Sequence, residues 1–174
     1  FKTGTTLHEV MGETAKTTSM VFIILIGAAM LTSAFRAFGG EELVKHMLTS
    51  LPGGFWVQFF VVMVVIFVLG FFLDFIEIAV VVVPIVAPIL LADPSANVTA
   101  VWLGVMIGLN IQTSFLTPPF GFALFYLRGV ADQVVKTLSI YKGVVPFIGL
   151  QILALIITGF FPSLVNYLPN RTYL

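Results

Sequence analysis

Two clusters of oxygen-bearing residues interrupt otherwise apolar sequence. The first is Gly70-Phe71-Phe72-Leu73-Asp74, with Glu77 three residues further on. The second is Asn110-Ile111-Gln112-Thr113-Ser114-Phe115-Leu116-Thr117-Pro118-Pro119-Phe120-Gly121. Asp74 supplies a carboxylate, Asn110 and Gln112 supply amides, and Thr113, Ser114 and Thr117 supply hydroxyls. Pro118 and Pro119 have no N–H, so the Ser114 and Phe115 carbonyls lose their helical donors. Neutral oxygens in this number, with one carboxylate, suit a hard monovalent cation and not a transition metal. Transporters bind Na⁺ with unwound carbonyls and hydroxyls of this kind, and turn half-helix N-termini toward anionic substrate groups. The plainer reading makes Asp74 a solvated turn carboxylate and Glu77 a polar residue that faces a cavity or pairs locally.

Composition narrows the choice. Of the 174 residues, 59% are hydrophobic and 9% charged, with eight basic and eight acidic side chains. A soluble domain carries about 25% charged residues. This chain therefore cannot cover a soluble globule, and its mean hydropathy of +1.12 agrees. A net charge of zero offers no basic stripe for nucleic acid. The absence of cysteine removes disulfides, thiolate metal sites and cysteine nucleophiles. There is no G-x-S-x-G, no H-E-x-x-H and no phosphate-cradling glycine loop. Asp74 is the only aspartate within the bulk apolar sequence, so the facing pair of an intramembrane aspartyl protease is missing. The expectation is an all-α integral membrane protein that is not an enzyme.

The positions of the charges then mark the elements. No charge falls between Lys16 and Arg36, which predicts a span at Thr17–Phe35, long enough for roughly 30 Å of hydrocarbon. Thr6 and Glu9 have capping-box spacing and predict a separate polar helix ahead of it. Gly39-Gly40 ends the span. Glu41–Leu51 then predicts an interfacial helix, with Leu43, Val44, Met47, Leu48 and Leu51 on one face. Pro52-Gly53-Gly54 stops it.

Phe55–Leu73 and Ile78–Ala92 are apolar runs that meet at Gly70–Asp74. They form either a re-entrant hairpin with its tip inside the membrane or two ordinary spans joined at the surface, and the residues alone leave both open. Pro94–Leu127 is uncharged and too long for one straight span. It predicts a discontinuous helix, with halves at Val98–Leu109 and Phe120–Ala131 around an unwound centre. Gly104 and Gly108 give it a small-residue face for close packing. Val144–Phe161 predicts the last span, and Leu164–Leu174 an interfacial tail.

The two clusters, together with Pro84-Ile85-Val86-Ala87-Pro88, resemble the large membrane subunit (DctM-like) of TRAP transporters, the tripartite ATP-independent periplasmic transporters. The resemblance covers essentially the whole chain. It implies one inverted-repeat half, the C-terminal one, of an elevator-type transporter, and favours the re-entrant hairpin. Residues 1–54 would hold a scaffold span with amphipathic interfacial helices. Residues 55–143 would hold the transport-domain hairpin and broken helix, and 144–174 the last span and interfacial tail. The implied function is Na⁺-coupled import of a small organic acid, a carboxylate, delivered by a periplasmic solute-binding protein. The implied partners are that protein, a small membrane subunit, the N-terminal half of the same subunit and the lipid of a bacterial inner membrane crossed several times. Na⁺ is the coupling ion and no other cofactor is implied. Carried over residue by residue, the cation and substrate site comprises Gly70, Asp74, Asn110, Gln112, Thr113, Ser114, Thr117, Pro118 and Pro119, with Na⁺ at Gly70, Asp74, Ser114 and Thr117. The alternatives are a passive channel and a structural membrane subunit.

Overall fold

The computed structural model of the chain describes residues 3–93, 96–118, 123–124, 127 and 136–172. All regular structure among them is helical. Helix α1 runs Thr3–Ala37 without interruption. This corrects the expectation of a separate polar helix opening at Thr6. Charged side chains do not break a helix. Glu13 pairs with Lys16 at 2.8 Å, and Thr17 Oγ1 donates to the Glu13 carbonyl, across the expected boundary.

The chain turns at Gly39, whose φ of 75° lies in the left-handed region that glycine adopts without a Cβ clash. Gly40 lies under the Phe35 ring, where a Cβ would collide. Helix α2, Gly40–Thr49, leaves this corner, and Arg36 pairs with Glu41 at 3.1 Å across it. Val44, Leu48 and Leu51 pack inward, while Leu43 and Met47 stay exposed. The apolar face is therefore wider than the protein surface it meets, as suits a helix at an apolar boundary.

Helix α3, Gly54–Leu69, and helix α4, Phe75–Leu91, fold back on each other around Gly70–Asp74. Phe55, Phe59, Val62 and Ile66 recur at three- and four-residue intervals and are buried as one stripe. α4 contains a π-turn over Ile78–Val82, with the Val83 N–H on the Ile78 carbonyl. The turn lies directly before Pro84, which cannot donate to the Val80 carbonyl and crowds it. Widening the preceding turn relieves that conflict. Pro84 thus acts on backbone geometry.

Helix α5, Ala100–Leu116, packs against α3 and against α6, Thr137–Phe160. Thr99 caps α5 by accepting the Trp102 N–H, and its hydroxyl donates to Asn166 of α7, Pro162–Thr172. Trp102 is completely buried against Phe59, with ring centroids 5.2 Å apart. Its Nε1 donates to the Thr158 carbonyl at 2.8 Å. The helical donor for that carbonyl would be residue 162, a proline, so the indole replaces a missing N–H.

Two expectations change here. α6 begins at Thr137, earlier than the expected Val144, and carries Lys142 and Pro146 within it. Gly104 and Gly108 have no neighbouring heavy atom within 4 Å of where a Cβ would stand, so they make no close packing among the described residues.

Among the described residues, α1 and α6 are the helices long and apolar enough to cross a membrane. Large apolar side chains cover their outer surfaces, including Ile23 at 70% and Phe160 at 79% exposure. In water each such side chain would forgo about 1.5–3 kcal/mol of burial. In lipid the cost vanishes.

Candidate functional site

The turn between α3 and α4 lies against the C-terminal end of α5. Gly70 is buried, and a Cβ added to it would overlap Ser114 Oγ and stand 2.8 Å from Ser114 Cβ. Only glycine permits this approach. Phe75 contacts Phe115 on the same side, ring centroids 6.3 Å apart. Within the turn, the Gly70, Phe71, Phe72 and Leu73 N–H groups bond back to the carbonyls of Ile66, Val68 and Leu69. The Gly70 and Phe71 carbonyls accept no backbone hydrogen bond from the described residues.

Asp74 caps α4. Its Oδ1 accepts the Phe75 N–H at 2.7 Å, and Glu77 Oε2 accepts the Asp74 N–H at 3.2 Å. The Glu77 N–H returns to the Asp74 side chain, completing a reciprocal capping box. The sequence reading of Glu77 as a locally paired residue holds, and the D-x-x-E spacing before an apolar run, not used there, specifies the pairing as a capping box.

The second cluster is more helical than expected. α5 continues through Asn110, Gln112, Thr113 and Ser114, and the backbone becomes extended only at Thr117, with φ −82° and ψ 122°. The expectation of an unwound centre from Asn110 is corrected, because a proline removes the donor only to the carbonyl four residues before it. Pro118 and Pro119 therefore leave the backbone upstream of Ser114 intact. The Ser114 carbonyl is not free either, since it accepts the Thr117 N–H at 3.1 Å. Pro118 is half-buried beside the break, and Pro119 and most of the expected second half-helix lie outside the described residues.

Helical geometry sorts the side chains. Thr113, Ser114 and Thr117 lie on the buried side of α5, whereas Gln112 is exposed and points away. Asn110 is buried, but its Nδ2 donates to the Met63 carbonyl of α3 at 2.8 Å. That bond lies beside an apolar cavity of about 980 Å³ between α3, α5 and α6. Asn110 thus ties α5 to the hairpin.

The hydroxyls share one feature. Thr113 Oγ1 donates to Leu109 O at 2.7 Å, Ser114 Oγ to Ile111 O at 2.7 Å and Thr117 Oγ1 to Thr113 O at 2.8 Å. Each proton is committed to the helix, so each oxygen presents lone pairs alone to anything beside it.

Residues 2–164 match the family described as the tripartite ATP-independent periplasmic transporter, DctM component. The chain belongs to the DctM family. The relatives it matches are transport proteins and not enzymes. Relatives of this DctM-family chain include the sialic acid TRAP transporter permease protein SiaT of Haemophilus influenzae, 36% identical over 42% of the chain and 12% of the relative. The C4-dicarboxylate TRAP transporter large permease protein DctM of Vibrio cholerae is 32% identical over 42% of the chain and 16% of the relative. The isethionate TRAP transporter permease protein DctMQ of Oleidesulfovibrio alaskensis is 37% identical over 38% of the chain and 10% of the relative. The matched segments are thus a small part of each relative's length. No solved structure matches the DctM-family chain.

Proposed function

We propose that the chain forms one inverted-repeat half of the large permease subunit of a Na⁺-coupled secondary transporter for a small organic acid. The observation that carries the cation is the set of hydroxyls at the end of α5. Ser114 and Thr117 have their protons committed backward, so their oxygens act as acceptors, beside a glycine turn whose Gly70 and Phe71 carbonyls accept no backbone hydrogen bond from the described residues. Neutral oxygens with the single Asp74 carboxylate balance one monovalent charge. A divalent ion favours a denser carboxylate set. The residues present therefore fit Na⁺, with Gly70, Asp74, Ser114 and Thr117 as its ligands. Asp74 keeps acceptor capacity beyond the Oδ1 bond to Phe75, since an ionised carboxylate has about four lone-pair sites.

In this reading α3 and α4 are a re-entrant hairpin with its tip at Gly70–Asp74. The hairpin and the helix broken at Thr117 form a mobile transport domain that moves in an elevator fashion against the scaffold span in α1. The organic-acid class is supported by the names of the relatives, which cite sialic acid, C4-dicarboxylates and isethionate. The assembly would include a small membrane subunit and a periplasmic solute-binding protein, in a bacterial inner membrane. The test is uptake into proteoliposomes by the complete transporter at graded Na⁺. Thr117→Ala removes one ligand oxygen and is expected to raise the half-saturating Na⁺ concentration about tenfold, as loss of one charge-assisted contact does. Unchanged Na⁺ activation in that variant removes Thr117 from the site. Uptake that never exceeds equilibrium under a Na⁺ gradient identifies a passive pore.

A further inference from the structure

Glu77 is a carboxylate without an ion-pair partner among the described residues, and it is only half-exposed. It lines an apolar cavity of about 350 Å³ together with Ile24, Gly27, Ala28 and Leu31 of α1 and Val81 of α4. A carboxylate so placed is expensive unless its hydrogen bonds require it. Its described partner is the Asp74 N–H, at 3.2 Å.

That bond matters because of how the turn is held. Gly70 is fixed by contact with Ser114 at one end. Phe71, Phe72 and Leu73 are fixed by short backbone bonds to α3. Asp74 lies beyond these and is tied by the reciprocal box, through Phe75 N–H, Glu77 N–H and Glu77 Oε2, and by its carbonyl, which accepts the Ile78 N–H at 3.1 Å. Removing the Glu77 side chain leaves the Asp74 N–H without that acceptor, the one bond on the N-terminal side of Asp74, while the backbone donors of Phe75, Glu77 and Ile78 still hold its C-terminal side. The turn that joins Gly70, packed on Ser114, to Asp74 then loses the hydrogen bond that closes it onto α4.

We infer that Glu77 is a positioning residue for cation coupling: its carboxylate oxygen holds Asp74 in register with the end of α5, and acts through hydrogen bonding and not through charge. This rests on the reading of Asp74 as a Na⁺ ligand. Glutamine can accept the same N–H, because a capping box is closed by Glu or Gln alike. Alanine cannot.

The experiment measures Na⁺-dependent uptake by the complete transporter in proteoliposomes, normalised to reconstituted protein, for the native chain, Glu77→Gln, Glu77→Ala and Asp74→Asn. Glu77→Ala is expected to raise the half-saturating Na⁺ concentration about tenfold, the scale of a lost cap, with maximal uptake at saturating Na⁺ within about twofold. Glu77→Gln is expected to stay within about twofold of native on both measures. Equal impairment of Glu77→Gln and Glu77→Ala overturns the inference, because the charge itself is then needed. Native Na⁺ dependence in Glu77→Ala, with a shifted Asp74→Asn, also overturns it, because Asp74 then needs no help. If Asp74→Asn keeps native Na⁺ dependence, the underlying site reading fails first and the inference with it. Should Glu77→Ala not assemble, Glu77→Ser makes the same comparison, being polar but too short to reach the Asp74 N–H.

Discussion

Gly70 has no side chain because Ser114 occupies the space one would need. Overpacking at such a contact costs about 1–3 kcal/mol. Gly70→Ala is therefore expected to lower the melting temperature of the purified complete transporter, and Ser114→Gly in the same chain to recover most of the loss. Failure of the second substitution to compensate would show that the clash lies elsewhere. At this scale the sequence was legible in part. The glycine and aspartate of Gly70–Asp74, and the serine and threonine of the second cluster, were recognisable as oxygen donors beside backbone breaks. What misled was treating Asn110–Pro119 as one unwound unit. A proline acts on the carbonyl four residues back and no further, so Asn110, Gln112 and Thr113 stay helical. On a helix, Gln112 lies about 200° around from Asn110. Its exposure follows from that angle. Local pairing of Glu77 was legible, whereas its role as the closing member of a D-x-x-E box was not drawn from the spacing, because Asp74 was read as either a ligand or a solvated turn carboxylate.

The helices were placed by their charges, and among the described residues the charges misplaced two of their starts. Spans were expected to start at Thr17 and Val144, yet α1 and α6 begin earlier and run through Lys16 and Lys142. A single lysine costs a helix almost nothing in propensity, whereas Gly39 and Pro52-Gly53-Gly54 alter backbone geometry and do end helices. The clasp between α5 and α6 could not be read at all, since it joins residues 56 apart. It has a local cause nonetheless: Pro162 leaves the Thr158 carbonyl without a helical donor, and the Trp102 indole fills the vacancy. Trp102→Phe keeps most of the ring packing but strands that carbonyl, at about 1–3 kcal/mol. Trp102→Ala also opens a cavity beside Phe59, at about 3–5 kcal/mol. Thermal melting of the assembled protein should rank the two in that order. Equal effects would mean that the hydrogen bond, and not the packing, dominates.

For the whole molecule, the open quantity is its orientation across the membrane. If α1 crosses at Thr17–Phe35, the hairpin enters and leaves on one side, and crossings follow at Val98–Ala131 and Val144–Phe161, the basic residues divide. Lys2, Lys16, Arg128, Lys136 and Lys142 fall on one side, and Arg36, Lys45 and Arg171 on the other. Cytoplasmic loops carry the excess of Lys and Arg, so the first group belongs in the cytoplasm and the hairpin opens toward the periplasm. Because the hairpin adds an even number of passes however deep it reaches, this assignment depends on the crossings expected at Thr17–Phe35, Val98–Ala131 and Val144–Phe161 alone. The chain has no cysteine, which allows a clean test in the complete transporter. Ser139, at the start of α6, and Asn170, in α7, are both exposed. With Ser139→Cys and Asn170→Cys introduced separately, a membrane-impermeant thiol reagent is applied to cells whose outer membrane has been permeabilised. Position 170 should label and position 139 should not until the inner membrane is broken. The reverse pattern would invert the chain, put the mouth of the hairpin in the cytoplasm, and leave the Gly70–Asp74 turn facing away from any substrate that a periplasmic protein delivers.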